Sequence, residues 1–335
     1  MLMKKFFLIA ASALMVFASC TKVNINYEND GQPQEIGVFA VNKNMVKGAV
    51  SGSAFPEDYV MMVSSYLADG DGTNGAYFSN KEFTGSESNS IWTWTGGQYW
   101  PVSAATLNFL AVAPQVASAV TTSITDAGVA TVTVESNEDN QYDVMYAVGQ
   151  ATKDAGVAPN ANVSMLFKHA LSWINFNFKT TNTSGVAIKI NSVTINGATV
   201  NGTLTVTSTA YTSTNAQATR ATWSATASET GINVPGAAAD FTLASDYETF
   251  GNGLLVVPAQ AENFVINYTI TPNGGTAQTF NYTHTLTDTW DMAKKYTYNV
   301  SITLTEITIA PSVDPWVDYD ADPTDNDVDN PSVQL

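Results

Sequence analysis

The chain has 335 residues and a formal net charge of −17 at pH 7, with 30 acidic side chains against 13 basic ones. Because so acidic a protein repels phosphate groups, its composition excludes nucleic acid as a partner. Only 13% of the residues are charged, against about 25% in typical soluble domains. The remaining composition favours extended chain with hydroxyl and amide side chains, and the length suggests two domains.

The N-terminus has the order of a secretory signal. Lys4 and Lys5 precede an apolar run over residues 6–17, and small residues then lead to Cys20. The run is too short to span a membrane. Small residues followed by cysteine resemble the lipobox of bacterial lipoproteins, in which the cysteine is acylated and becomes the first mature residue. We therefore predict a signal peptide at residues 1–19 and lipidation at Cys20, with a free thiol or an ordinary signal peptide cut nearby as the alternative.

The rest of the chain consists of short β-type runs separated by Gly, Asn, Asp and Pro. Asn273-Gly274-Gly275 lies between two such runs and predicts a hairpin. Helical periodicity is nearly absent, so the pattern predicts an all-β architecture of the sandwich type. We divide the chain into a tether or removable leader, an N-terminal β-sandwich domain, a C-terminal β-sandwich domain and an acidic tail, at residues 20–35, 36–167, 168–313 and 314–335.

Several stretches follow one another in a recognisable order. They are Tyr99-Trp100-Pro101 with Leu107–Pro114, Asp143–Ala147 with Met165–Leu171, Leu254–Pro258, Trp290–Tyr298 and Ile309–Trp316. Together they resemble the motifs of the fimbrillin family, the subunits of type V pili, with Ala293 where that family usually has glycine. Their joint order is more specific than any single stretch.

This resemblance implies two transthyretin-like β-sandwich domains on a lipoprotein precursor. It implies a structural subunit (stalk, tip or anchor) of a fimbrium at the outer membrane, which serves adhesion and has other pilus subunits as partners. In the family, a protease removes the lipidated segment with a first strand, and a strand from the next subunit fills the groove. Such a groove offers unpaired N–H and C=O groups beside an apolar slot.

One feature departs from the family's best-known members, whose major subunits are cut after an arginine near the mature N-terminus. No arginine lies between Cys20 and Arg220. Two interpretations stay open: a protease of other specificity cuts near Lys43 or Lys47, or the subunit is not processed and serves as an anchor or accessory protein.

The C-terminal stretch is the candidate donor strand. Val313, Pro315, Val317 and Tyr319 alternate with other residues in a pattern that suits a slot-filling strand. Pro315 weakens the pattern, because proline has no N–H to donate to a sheet. We expect deletion of residues 313–335 to block polymer formation while the monomer still folds.

Neither a cofactor nor a metal is predicted. Asp69 and Asp71 lie in a Gly-rich stretch that resembles the start of a calcium loop, but the closing glutamate is replaced by Asn80. A hairpin turn explains the same residues. Since His169 and His284 are the only histidines and Cys20 the only cysteine, a zinc site is not predicted either.

Catalysis is not predicted, because no motif supplies a positioned acid–base pair. His169 lies at a strand entrance, where a hydrogen-bonded structural histidine is expected. The remaining alternative is a surface lipoprotein of β-sandwich domains that binds host or bacterial glycans. Trp92 and Trp94 would share one strand face and offer a stacking platform for sugar rings, although large aromatic residues also pack in cores.

Overall fold

The structure is a computed structural model. It describes residues 34–41, 59–67, 76–85, 91–101, 105–116, 119–135, 141–153, 162–182, 184–207, 221–229 and 231–316. The regular elements in these ranges are all β-strands, which confirms the predicted all-β class. Over the same ranges, no helix is long and apolar enough to cross a membrane.

Up to residue 169 the described chain forms a first series of short strands, some of which bury every second residue. They are β1 (Gly37–Val41), β2 (Met61–Leu67), β3 (Ala76–Gly85), β4 (Ile91–Thr93), β5 (Ala105–Ala113), β6 (Val120–Ile124), β7 (Val129–Glu135), β8 (Met145–Lys153), β9 (Asn162–Leu166) and β10 (Lys168–His169). In β7, for example, Val132 and Val134 are buried while Thr131 and Thr133 are exposed. This alternation arises because successive side chains of a strand point to opposite faces of the sheet.

From residue 172 onward the chain forms a second series of strands. They are β11 (Ser172–Lys179), β12 (Val186–Asn196), β13 (Ala198–Thr207), β14 (Ala221–Glu229), β15 (Ile232–Asn233), β16 (Phe241–Thr242), β17 (Glu248–Thr249), β18 (Leu254–Val256), β19 (Asn263–Pro272), β20 (Gln278–Thr285), β21 (Lys294–Ile302) and β22 (Ile307–Pro315). The predicted hairpin joins β19 to β20, where Gly274 has a φ of 69°. Glycine adopts this left-handed conformation without steric cost, which confirms the hairpin signal.

Two sheets of the second series form a β-sandwich. One has the order β17-β11-β21-β22 with β18 also paired to β11, and the other has the order β15-β12-β19-β20 with β16 also paired to β12. Phe176 of β11, Ile190 of β12, Phe264 of β19 and Tyr298 of β21 meet in one buried cluster between the sheets. Side chains from two inner faces thus fill the core, as in other sandwiches.

The other two sheets pack against each other. An eight-stranded sheet has the order β10-β8-β5-β2-β3-β4-β1-β9, and a four-stranded sheet has the order β14-β13-β7-β6. One face of the large sheet buries Val63 and Phe109, while Met62 and Leu110 on its other face join the cluster that includes Leu204 of the small sheet. Two strands of the small sheet, β6 and β7, precede residue 167, and the other two, β13 and β14, follow it. The domain boundary expected at residue 167 stays a prediction.

Candidate functional site

β1 is a short strand that lies between two others in the eight-stranded sheet. It runs antiparallel to β4, with Val38 opposite Trp92, and parallel to β9, with Val38 opposite Val163. Since β1 separates β4 from β9 in the sheet order, its removal would leave an unpaired strand edge on each side. We call the space that β1 occupies between these strands the β1 slot.

The residues just before β1 extend its pairing. The Ile36 amide donates to the Gln98 carbonyl at 2.6 Å, and the Trp100 amide donates to the Gln34 carbonyl at 2.9 Å. The occupant of the β1 slot is therefore held by main-chain hydrogen bonds both before and within the strand. Main-chain bonds of this kind give a slot affinity for a strand without requiring one particular sequence.

Sequence specificity in the slot comes from side chains. Ile36 and Val38 are 0% exposed and Ala40 is 3% exposed, and all three pack in the core cluster with Trp92 and Met165. Full burial of a Val or Ile side chain contributes about 1.5–3 kcal/mol. Ile36 and the two buried apolar residues of β1 thus complete the core of the large sheet, and a replacement strand would have to supply such residues.

The predicted donor strand overlaps β22, which is an edge strand of the C-terminal sandwich. Val313 pairs with Tyr296 and Pro315 pairs with Lys294 of β21. The Val313 side chain is 55% exposed, and an edge position tolerates a proline. Val317 and Tyr319 lie outside the described residues. In this conformation, donation of β22 would require the strand to leave β21.

Trp316 directly follows β22 and is buried, with 5% of its surface exposed. Its amide donates to the carbonyl of Ala293 at 3.0 Å, and its ring lies on His169 and near Trp173. Any movement of β22 away from the sheet would therefore have to lift a buried tryptophan out of its contacts.

The two tryptophans of the predicted glycan platform lie in different environments. Trp92 is 1% exposed and donates its Nε1–H to the Tyr59 carbonyl at 3.1 Å, so its ring is not available to a sugar at the surface. Trp94 is half-buried, and the Lys81 ammonium lies 4.2 Å from the centre of a Trp94 ring. Of the predicted pair, only Trp94 reaches the surface, because Trp92 fills the core beside the β1 slot.

His169 has the structural role that its position predicts. Its Nδ1 lies 2.9 Å from Asp143 Oδ2, and the two side chains are 2% and 0% exposed. The pair is buried under Trp316, so it supports packing. His284 is half-buried against the Phe264 ring, with centroids 4.9 Å apart, and this burial lowers its pKa.

The calcium candidates Asp69 and Asp71 lie outside the described residues, as does the lipidation candidate Cys20. Among the residues that the structure describes, no group of three His, Cys, Asp or Glu side chains could hold a metal. The Asn80 amide, at the closing position of the calcium-like pattern, binds the backbone of Ile124 instead: Nδ2 donates to the carbonyl at 2.6 Å, and Oδ1 accepts from the amide at 2.7 Å.

Two features of the site were missed from the sequence. Residues 35–41 are one of the short β-type runs of the sequence, and the apolar alternation of Ile36, Val38 and Ala40 is the signal of a strand. That alternation does not reveal that β1 is inserted beside a strand from far along the chain. The burial of Trp316 was missed as well, because an aromatic residue beside an acidic tail gives no sign of a distant partner such as His169.

Comparison with known proteins agrees with this architecture. A family model described as fimbrillin-like matches residues 21–316. A crystal structure of a fimbrial protein from Bacteroides vulgatus superposes with a TM-score of 0.56 at 16% identity, covering 85% of this chain and 100% of that one. No match was found among curated proteins.

Two fimbrial proteins from Porphyromonas gingivalis align more loosely. The anchor protein Mfa2 gives a TM-score of 0.34 at 10% identity, over 86% of this chain and 99% of that one. The tip protein Mfa3, with a C-terminal truncation, gives 0.36 at 9% identity, over 85% and 100%. At these identities the likeness to the Bacteroides vulgatus protein shows a shared fold.

Proposed function

We propose, since the chain belongs to the fimbrillin-like family, that this pilus subunit is joined to its neighbours by exchange of the strand in the β1 slot. The observation that carries the proposal is the placement of β1, which pairs with a strand on each side and, together with the preceding Ile36, buries three alternating apolar side chains. A strand from another subunit would satisfy the same N–H and C=O groups and the same apolar positions.

The subunit acts at the cell surface, in the fimbrium. We propose that Cys20 is acylated after export and that the lipid holds the precursor at the outer membrane. Two acyl chains anchor far more firmly than one, because each buried methylene contributes about 0.8 kcal/mol. Family and fold are those of structural fimbrial proteins, which indicates a non-enzymatic role, and we propose that the assembled fimbrium serves adhesion.

Opening of the β1 slot requires cleavage between β1 and β2. Lys43 and Lys47 lie in that connection, and a cut after either one would separate β1 from the rest of the chain. Mass spectrometry of the mature N-terminus in native surface material tests this step. We expect a start after Lys43 or Lys47. A fimbrial subunit that starts at an acylated Cys20 would contradict exchange at this slot and would favour a permanent anchor.

Truncation tests the donor role of the C-terminal stretch. Because Trp316 is buried, deletion of residues 313–335 would remove part of a core together with the candidate strand. Deletion of residues 317–335 keeps Trp316 and β22, so its effect on assembly is easier to interpret. We expect this shorter chain to fold and to enter polymers poorly, as judged by electrophoresis of undenatured surface material. Polymers of normal length would contradict a donor role for Val317 and Tyr319.

A further inference from the structure

The walls of the β1 slot leave no room for a side chain at one position. Gly37 is buried, and a Cβ built on it would collide with Asn162 Oδ1 and lie 2.7 Å from Ile91 Cγ2. Heavy atoms of neighbouring side chains do not approach a Cβ so closely. Glycine is therefore required at this position, because the side chains of Asn162 and Ile91 occupy the space that a Cβ would need.

The restriction belongs to the walls of the slot and not to β1. Asn162 is the first residue of β9 and lies opposite Gly37, while Ile91 begins β4 and lies opposite Phe39. The Asn162 side chain can turn aside, but Ile91 is β-branched and has few rotamers to choose from. Any strand that replaces β1 and pairs with both walls meets the same obstruction.

We propose that the β1 slot selects a donor strand with glycine at the position beside Asn162, and that this donor comes from a subunit different from this one. The inference rests on the proposed function, because it concerns the strand that replaces β1. Residues 276–335 contain no glycine, so the predicted donor segment, residues 313–335 of a second copy, does not fit the slot.

The partner of this slot is thus a heterologous strand with apolar residues on both sides of a glycine, as Ile36 and Val38 flank Gly37 in β1. Successive copies of this chain are not linked through residues 313–335. The slot therefore places this subunit beside a different one in the fimbrium, at a junction between unlike subunits.

Peptide exchange tests the proposal on the precursor without its signal peptide, residues 20–335, with Cys20 replaced by serine and a specific protease site inserted between residues 42 and 58. After cleavage, a fluorescent peptide of residues 34–42 is exchanged into the slot and competed with three unlabelled peptides. These are the parent peptide, the same peptide with Gly37→Ala, and a peptide of residues 309–319. We expect the alanine peptide to compete about tenfold less well, because its added methyl group overpacks the walls of the slot. The 309–319 peptide should not compete.

A wall variant separates steric selection from a general loss of strand propensity. Ile91→Ala removes the Cγ2 atom that meets the added Cβ, and Asn162→Ala removes Oδ1. In a chain with both changes, the Gly37→Ala peptide should bind within about threefold of the parent peptide. In the intact chain, Gly37→Ala should likewise lower the unfolding midpoint, and the two wall changes should reduce that loss.

The possible outcomes are distinct. Equal competition by the parent and alanine peptides overturns glycine selection, and strong competition by the 309–319 peptide overturns the heterologous donor. Failure of the wall variant to restore binding also overturns the steric account. If no peptide enters the cleaved chain, including the parent sequence, then the slot does not exchange strands, and both the proposed function and this inference fail.

Discussion

Trp316 stacks on His169, with ring centroids 3.8 Å apart and ring planes inclined by 9°. His169 is itself fixed by Asp143, whose carboxylate lies 2.9 Å from the ring. Trp316 belongs to the core cluster of the large and small sheets, whereas the strand that precedes it belongs to the C-terminal sandwich. The stack therefore ties the end of edge strand β22 to a core built mainly from the large and small sheets.

Removal of this ring should loosen β22. We expect Trp316→Ala to lower the free energy of unfolding by about 3–5 kcal/mol, the usual cost of deleting a buried aromatic side chain. Amide hydrogen exchange of β22 should accelerate more than that of β12, which pairs with β19 inside the sandwich. Urea unfolding and hydrogen exchange measured by mass spectrometry check the two effects.

Two matched variants accompany this test. Trp316→Phe keeps an aromatic ring over His169 and should lose less stability than Trp316→Ala. Val313→Ala shortens a side chain of the same strand that is 55% exposed, and it should change stability by less than about 0.5 kcal/mol. A Trp316→Ala chain with unchanged exchange in β22 would show that pairing with β21 alone holds the strand.

Local patterns predicted the strands, since alternating burial has a period of two wherever one face of a sheet is covered. The hairpin at Gly274 was predictable for the same reason, because its signal is contained in adjacent residues. Pairing across the chain was not predictable. Two contacts depend on the topology of the whole chain: the parallel pairing of β1 with β9 and the stack of Trp316 on His169. No short stretch of sequence encodes that topology. Trp92 could have faced either side of its strand, and its burial depends on the neighbouring β1.

The Ala293 backbone supplies a second test. Its φ is 57°, a left-handed conformation that costs a residue with a Cβ about 1–2 kcal/mol. Hydrogen bonds hold it there, because its amide donates to Leu171 and its carbonyl accepts from Trp316, each at 3.0 Å. We expect Ala293→Gly to raise the free energy of unfolding by about 1 kcal/mol, measured by urea unfolding.

A second alanine-to-glycine change has the opposite expected sign. Ala310 is exposed in β22, where glycine only adds flexibility to the unfolded chain. Ala310→Gly should therefore destabilise by about 0.5–1 kcal/mol. Equal losses of stability in the two glycine variants would contradict backbone strain at Ala293.

The Asn80 side chain joins β3 to β6, so its replacement should lower the free energy of unfolding. Its amide makes two hydrogen bonds to the backbone of Ile124, and its φ of 51° suits asparagine better than alanine. Asn80→Ala should lower the free energy of unfolding by about 2–3 kcal/mol, from two lost bonds and the backbone cost. Asn80→Gly keeps the backbone conformation and should lose less. Thermal unfolding followed by circular dichroism compares the stability of the two variants. A larger loss of stability in Asn80→Gly than in Asn80→Ala would contradict a backbone contribution at this position.

Tyr298 should make the fold sensitive to alkali. Burial is the main cause that raises its pKa to about 12, although the Trp290 Nε1–H, which donates to its hydroxyl at 3.0 Å, acts in the opposite direction. In the unfolded chain a tyrosine titrates near pH 10. The unfolded state therefore releases its proton first, so the stability contributed by the neutral hydroxyl is complete below pH 10 and is lost as the pH rises from about 10 through about 12.

Tyr298→Phe removes the titrating group and should flatten this alkaline loss of stability, which for the parent is up to about 3 kcal/mol. At pH 7 the variant should be less stable by about 1–3 kcal/mol, because the buried Trp290 N–H loses its acceptor. Urea unfolding at pH 7, 9 and 11 measures both effects on one chain. Tyr99→Phe, at a position that is 47% exposed, serves as the control and should follow the parent. A Tyr298→Phe chain that loses stability above pH 10 as steeply as the parent would show that other groups cause the alkaline unfolding.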